Sequence, residues 1–202
     1  MVSDHYFSGK PGADSKQKMI SENLRGRDFT FIVDRGVFSG HGVDYGSKLL
    51  IESFEEPEAD GELLDIGCGW GPIGIAVAAA YPTRRVHMID VNERSVSLAK
   101  ENAERNRIAN QTVALKDATA GLSDSGYAAV ITNPPIRAGK DVVFRIYEEA
   151  VRSLCPGGEL WVVIQKKQGA PSTKKKLEEL GLYVRTVAKQ KGYFIFAGKK
   201  ID

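Results

Sequence analysis

The chain has 202 residues, of which 42% are hydrophobic and 27% charged, with a net charge of +2 at pH 7; this is the composition of one globular domain large enough to bury a substantial core. No apolar run approaches the roughly 20 residues needed to cross a bilayer, and the start, Met1-Val-Ser-Asp-His-Tyr-Phe7, lacks the basic-then-apolar pattern of a signal peptide. Two cysteines do not suggest a disulfide framework, so a cytoplasmic protein is expected, and with His5, His41 and His87 scattered along the chain no metal site is expected.

Taken in chain order, residues 1–60 are expected to form an N-terminal cap and residues 61–202 a core, within one domain. Ser8–Ser15, with Gly9, Pro11 and Gly12, reads as a loop. Asp28-Phe-Thr-Phe-Ile-Val33 alternates apolar and polar residues and is bounded by Arg35-Gly36. That pattern predicts a short hairpin whose second strand lies near Val37-Phe38. Beyond residue 60 strands and helices alternate, the pattern of a parallel sheet covered on both faces. Strands are expected at 62–66, 85–90, 111–115, 127–132, 158–164, 183–189 and 192–198. Helices are expected at 72–81, 93–107, 142–154 and 172–181.

The first core strand, Leu63-Leu-Asp-Ile66, runs into Gly67-Cys-Gly-Trp-Gly71 and then Pro72. Glycines at 67, 69 and 71 allow a sharp turn and a close ligand, and Pro72 suits the first turn of a helix. Trp70 reads as packing. The next strand ends at Asp90, where a carboxylate can accept from both ribose hydroxyls of a nucleoside cofactor, with Val91 beside the adenine. Gly69-x-Gly71-x-x-Gly74 also fits a dinucleotide fingerprint, but Pro72 starts the helix too early for that register. Asp65, just before the glycines, would repel a pyrophosphate and suits an ammonium group. Adenosine with an amino-acid tail and no phosphate describes S-adenosyl-L-methionine.

The fourth core strand, Tyr127–Thr132, ends in Asn133-Pro134-Pro135. Neither proline has an N–H, so the turn presents acceptors: the Asn133 carboxamide and the Pro134 carbonyl. Two acceptors converging on one point can grip both hydrogens of an amino group and aim its lone pair. Asn133 is expected to touch the cofactor as well. Further on, Pro156-Gly157-Gly158 reads as a stop before the fifth strand. Gly192 separates the last two strands with no room for a helix, which predicts a hairpin. Residues 137–202 hold 14 Lys and Arg against 7 Asp and Glu, whereas residues 1–136 hold 14 against 19. A basic C-terminal third suits a phosphate-rich partner. Arg137 and Lys140, just past the Asn-Pro-Pro turn, and Lys166 and Lys167, at the end of the fifth strand, are the best-placed cations.

Three stretches carry a resemblance: Gly36–Leu50 (GVFSGHGVDYGSKLL), the Asp65–Gly71 loop, and Asn133-Pro-Pro135. The chain resembles class I S-adenosylmethionine-dependent methyltransferases. More narrowly, it is similar to the "methyltransferase small" domain of the RsmC-type small-subunit ribosomal RNA guanine-N2 methyltransferases, from about His5 to Lys199. The resemblance implies a Rossmann-like α/β fold. Its seven-stranded, mostly parallel sheet would have the order 3-2-1-4-5-7-6, with the last strand antiparallel and helices on both faces. It implies Phe38 and Ser39 as a cofactor-side lid, and Asp117-Ala118 near the adenine amine, although Asp117 can equally cap a helix and Phe38 can equally be core. It implies Asn133, Pro134 and Pro135 as the catalytic turn. Related enzymes carry an aromatic residue after this turn to stack on the base; here it is Ile136, which forgoes ~1–3 kcal/mol of stacking.

The function expected is methylation of the exocyclic N2 amine of a guanine in small-subunit ribosomal RNA, with ribosomal RNA or the ribosomal subunit as partner. Two alternatives remain open at this point: methylation of a protein glutamine amide or small amine through the same turn, and a cofactor-retaining RNA-binding module without catalysis.

Overall fold

The computed structural model of the chain describes residues 15–34, 37, 39, 41–122 and 126–201. Phe38, Tyr6, Phe7 and residues 8–14 of the expected loop lie outside the described residues.

The first two strands, β1 (Lys18–Leu24) and β2 (Arg27–Val33), form an antiparallel hairpin. Its two-residue turn has Arg25 at φ 51° and Gly26 at φ 75°, the positive dihedrals of a type I′ turn, whose twist matches that of the strands. The hairpin partner of residues 28–33 therefore precedes them; the expected partner near Val37-Phe38 is corrected. The misreading has a physical cause. Met-Ile-Ser-Glu-Asn-Leu barely alternates because β1 is half-exposed along most of its length. Phe29, Phe31 and Val33 of β2 are buried in one core with Trp70, the Phe31 and Trp70 rings edge to face at 5.0 Å. The free edge of β2 is satisfied by side chains rather than by a third strand. Asn102 accepts from Ile32 N at 2.7 Å and donates to Ile32 O at 2.9 Å, and Asn106 does the same for Thr30 at 3.0 and 2.9 Å.

A helix that the sequence reading did not anticipate, α1 (Tyr45–Ser53), follows the hairpin, with Asp44 accepting from Ser47 N at its start. It buries Leu49, Leu50 and Ile51 in the same core as the hairpin and one face of the main sheet.

The main sheet contains β3 (Leu63–Ile66), β4 (Val86–Asp90), β5 (Gln111–Leu115), β6 (Tyr127–Thr132), β7 (Leu154–Gln165), β8 (Leu182–Gln190) and β9 (Tyr193–Lys200). Its order, β5-β4-β3-β6-β7-β9-β8, is the expected 3-2-1-4-5-7-6, with β9 antiparallel to both neighbours. The helices are α2 (Pro72–Ala80), α3 (Glu93–Arg105), α4 (Lys140–Ser153) and α5 (Ala170–Glu179). One hydrophobic cluster lies on each face of the sheet, and β3 and β6 are buried along their whole length. Pro156-Gly157-Gly158 does not precede the fifth core strand. It is a bulge inside β7, where pairing with β6 jumps from Leu154–Tyr127 to Glu159–Ala129. The result brings the carboxyl ends of β3, β4, β5, β6, β7 and β8 to one edge. Among the described residues no helix is long and apolar enough to cross a membrane.

Candidate active site

The turn after β3 places Gly67 at φ 72° and Gly69 at φ 57°. A Cβ on either would meet no atom within 4 Å, so both backbones face open space. Gly71 differs. It caps α2, and a Cβ there would sit 2.8 Å from Ile75 Cδ1 and 3.3 Å from Ala99 Cβ. Its smallness serves helix packing, and it is not among the cavity-lining residues.

Asp65 is completely buried, with Oδ2 accepting from Gly74 N at 2.9 Å and Oδ1 without a partner among the described residues. It lies beneath the glycine turn and lines neither cavity described below. Burial, reinforced by the negative charge of Asp90 and opposed by the Gly74 N–H, raises its pKa from 3.8 to about 7. The folded state thus keeps a proton that the unfolded chain releases near pH 4, and folding stability falls as pH rises from about 4 to 7. A shift of that size corresponds to about 4 kcal/mol. Urea unfolding of wild type and Asp65→Asn across this pH range should give a stability difference that moves against wild type with rising pH and levels off above 7. Parallel profiles would contradict a titrating Asp65.

Asp90 closes the glycine turn from the end of β4. Its Oδ2 accepts from Gly69 N at 2.8 Å and its Oδ1 from Asn92 N at 2.9 Å. Burial raises its pKa, and these backbone donors oppose the rise. Both oxygens keep a lone pair for further donors. Asp90 and Val91 line a cavity of about 340 Å³ together with Gly67, Gly69, Asp117, Ala118, Asn133 and Pro135. Its apolar walls are Ile66, Ile89, Val142 and Ile146. Asp117 lines the cavity, and its Oδ1 accepts from Thr119 N at 2.8 Å to cap the single turn 118–120, the helix-cap alternative. Ser95, Lys116, Thr119, Val142 and Ile146 also line this cavity and were missed; all but Lys116, which directly follows β5, lie on the helical turns after the strands, where a strand-end reading does not look.

Asn133 stands where this cavity meets a recess of about 30 Å³ beneath α1, lined by Ser39, Asp44, Ser47, Gly67 and Gly69. Ser39, at φ 57°, bonds through its hydroxyl to Gly42 O. The Asn133 amide nitrogen donates to Ser47 Oγ at 3.0 Å and lies 3.5 Å from Asp44 Oδ1. An ionised Asp44 can only accept, so it fixes which end of the carboxamide faces α1. The carbonyl end is left for a ligand. Asp44 and Ser47 lie within the Gly36–Leu50 stretch, where the sequence assigns them no role; the signal available is the Asp-x-x-Ser start of α1.

Pro135 has φ −75° and ψ 79°, and Ile136 N donates to Pro134 O at 2.9 Å. This is an inverse γ-turn, a common strand-end device. One lone pair of the Pro134 carbonyl is therefore used within the turn and one remains. Pro134 itself is buried, while Ile136 is half-buried and Arg137 and Lys140 are exposed.

The cations divide by location. Arg84 pairs with Glu56 at 2.7 Å, Lys176 with Glu148 at 2.6 Å, Arg185 with Glu159 at 3.5 Å and Lys199 with Glu58 at 3.1 Å. At the carboxyl edge, Lys116, Arg137, Lys140, Lys166 and Lys167 have no carboxylate within 4.0 Å among the described residues. Of these, Lys116 lines the cavity itself, and Arg137 and Lys140 follow the Asn-Pro-Pro turn. Among the described residues no three His, Cys, Asp or Glu side chains converge as metal ligands would.

Three comparisons bear on this geometry. The family description "Methyltransferase small domain" matches residues 28–197. Protein YbxB of Bacillus subtilis (strain 168) is 53% identical over 201 residues, covering 99% of this chain and 100% of that protein. The ribosomal RNA large subunit methyltransferase G of Klebsiella pneumoniae is 30% identical over 164 residues, 78% of this chain and 43% of that enzyme. Among solved structures, the T. thermophilus 16S rRNA N2 G1207 methyltransferase (RsmC), in complex with AdoMet and guanosine, superposes with a TM-score of 0.77 at 25% identity over 94% of this chain and 52% of that one. The chain thus spans about half the length of these two methyltransferases.

Proposed function

The chain belongs to the methyltransferase small domain family, and from that premise we propose that it methylates the exocyclic N2 amine of a guanine in small-subunit ribosomal RNA, acting in the cytoplasm as one catalytic unit. S-adenosylmethionine is the methyl donor. The observation that carries the reading is Asn133, tied down at its amide nitrogen by α1 and free at its carbonyl, at the junction of the two cavities.

The residues present fit the donor. Gly67 and Gly69 leave a cradle that a Cβ would fill, Asp90 keeps lone pairs for two ribose hydroxyls, and Val91, Ala118 and Ile146 form an apolar slot for a flat base. Ser39 and the glycine turn would border the amino-acid end. Asp65 acts from beneath as a buried carboxylate whose ionisation a nearby cation would favour. When bound, S-adenosylmethionine supplies a methyl group already activated by a positive sulfur.

What remains for the protein is placement of the nucleophile. A guanine N2 amine is conjugated with its ring and poorly nucleophilic. Asn133 Oδ1 and the remaining lone pair of Pro134 O accept its two hydrogens. That pairing favours a tetrahedral nitrogen and stabilises the positive charge that develops on it. No side chain has to remove a proton before transfer. The edge lysines and Arg137, without a carboxylate partner among the described residues, support an RNA substrate over a protein amide, as do the substrates named for the Klebsiella and T. thermophilus relatives.

Ser47→Ala removes the amide anchor and lets the Asn133 carboxamide rotate. The single-turnover rate should fall by about tenfold, the scale of one net hydrogen bond, with cofactor affinity unchanged and Ser47→Thr recovering much of the loss. An unaltered rate would show that Asn133 holds its orientation without α1. The proposal as a whole is tested by supplying labelled donor together with separated RNA and protein fractions. Label entering protein and not RNA would refute it.

A further inference from the structure

The β8–β9 hairpin tip lies on the carboxyl edge, fastened there by Lys166 N donating to Gly192 O at 2.8 Å. It carries Lys189, Gln190, Lys191 and Tyr193, and it meets the start of α1. The Tyr45 and Tyr193 rings are 5.5 Å apart, tilted by 47°. Gly46 permits this approach, since a Cβ there would lie 2.7 Å from the Tyr193 ring and 3.2 Å from Asp44 Oδ1. Asp44, in turn, faces the Asn133 amide. Tyr45 Oη donates to Gln190 Oε1 at 3.0 Å, and Lys191 Nζ sits 4.7 Å above the Tyr45 ring. Lys189 lies 5.2 Å from the Phe194 ring. Both lysines are exposed, both tyrosines are half-buried, and neither lysine has a carboxylate within 4.0 Å among the described residues.

Resting on the RNA reading above, we propose that this tip and the start of α1 form a docking surface for the single-stranded RNA flanking the target guanine. Lys189 and Lys191 contact phosphates, and Lys191, in turning from the Tyr45 ring to a phosphate, uncovers a face of that ring so that Tyr45 and Tyr193 give bases a platform on which to stack. The chemistry is that of single-strand recognition, a basic track beside aromatic platforms. It also supplies, next to Asp44 and Asn133, the aromatic faces that Ile136 does not. A flipped or unpaired guanine needs its neighbours held, because unstacking costs free energy that contacts elsewhere must offset.

Fluorescence anisotropy with a labelled single-stranded ribosomal RNA fragment, across a KCl series and with S-adenosylhomocysteine present, tests this. Lys189→Glu with Lys191→Glu should weaken binding at least tenfold. It should also flatten the log–log salt slope by about 1.4, roughly 0.7 for each lost single-strand phosphate contact. Tyr193→Leu should weaken binding about tenfold with the slope unchanged, the scale of one lost stack, while Tyr193→Phe should bind as wild type. S-adenosylhomocysteine affinity should be the same in all four proteins, which reports intact folding. Wild type that binds RNA with an affinity and salt slope that the double lysine variant leaves untouched would overturn the docking surface alone. Wild type that binds no RNA and methylates protein instead would overturn the RNA reading, and this inference with it.

Discussion

Replacing Asn133 by alanine is expected to abolish methyl transfer while leaving cofactor affinity within a few-fold. Asn133 lines both cavities, yet its amide nitrogen is already committed to Ser47 Oγ at 3.0 Å and to Asp44. Only its carbonyl is available to a ligand, and a carbonyl suits the hydrogens of an incoming amine. Without it, the Pro134 carbonyl remains as a single acceptor, itself partly engaged by Ile136 N. One acceptor cannot fix the direction of the amine lone pair. Loss of one preorganised polar group at a reacting centre costs about 10²–10³ in rate, and loss of alignment adds to that. Single-turnover rates and cofactor dissociation constants measured on one preparation separate the two effects. A variant that transfers methyl at near the wild-type rate would show that the acceptor pair is not the mechanism. Equal losses in rate and cofactor affinity would show instead that Asn133 serves the cofactor.

Asp90→Ala should have the larger effect on binding, about 100-fold or more in S-adenosylhomocysteine affinity. Two losses combine. The ribose hydroxyls lose an acceptor, at about 1–3 kcal/mol for an unmet polar group. The glycine turn also loses the bonds that hold Gly69 N at 2.8 Å and Asn92 N at 2.9 Å, so the cradle itself loosens. Asp90→Asn should fall between wild type and alanine, since one oxygen can still accept. Calorimetric titration of the three proteins gives the order directly. Alanine and wild type binding alike would remove Asp90 from the cofactor site, and saturable binding of NAD without S-adenosylhomocysteine binding would replace the cofactor altogether.

These expectations rest on features that were legible in the sequence to unequal degrees. Most core strands were legible as strands, from apolar runs such as Leu63–Ile66 and Tyr127–Thr132 and from Gly192, which leaves no room for a helix before the last strand, but their order followed from the family resemblance. Asp90, Val91 and Asn133 were legible as cavity-lining residues because open parallel sheets gather ligand contacts at their carboxyl ends, and Asp117 and Ala118 came from the resemblance. The N-terminal cap was not. β1 is mostly polar, and the free edge of β2 is closed by Asn102 and Asn106 some 70 residues later, a pairing with no local signal. Helix α1 is nine residues long and was hidden inside a motif read for its family likeness. With it went Asp44 and Ser47, the residues that orient Asn133. Asp65 shows the limit in another way. Its place before the glycines is plain in the sequence, but its side chain turns under α2 to accept from Gly74 N, and only the folded chain shows that it lines neither cavity.

The central claim is a methyl group delivered to a guanine amine through Asn133. It is tested most directly by incubating wild type and Asn133→Ala with labelled S-adenosylmethionine and small ribosomal subunits lacking the modification, then digesting the RNA to nucleosides and identifying the labelled product by mass. The account predicts label in N2-methylguanosine with wild type and none with the variant. Label in another nucleoside, in a protein glutamine, or at equal levels with both enzymes would contradict it.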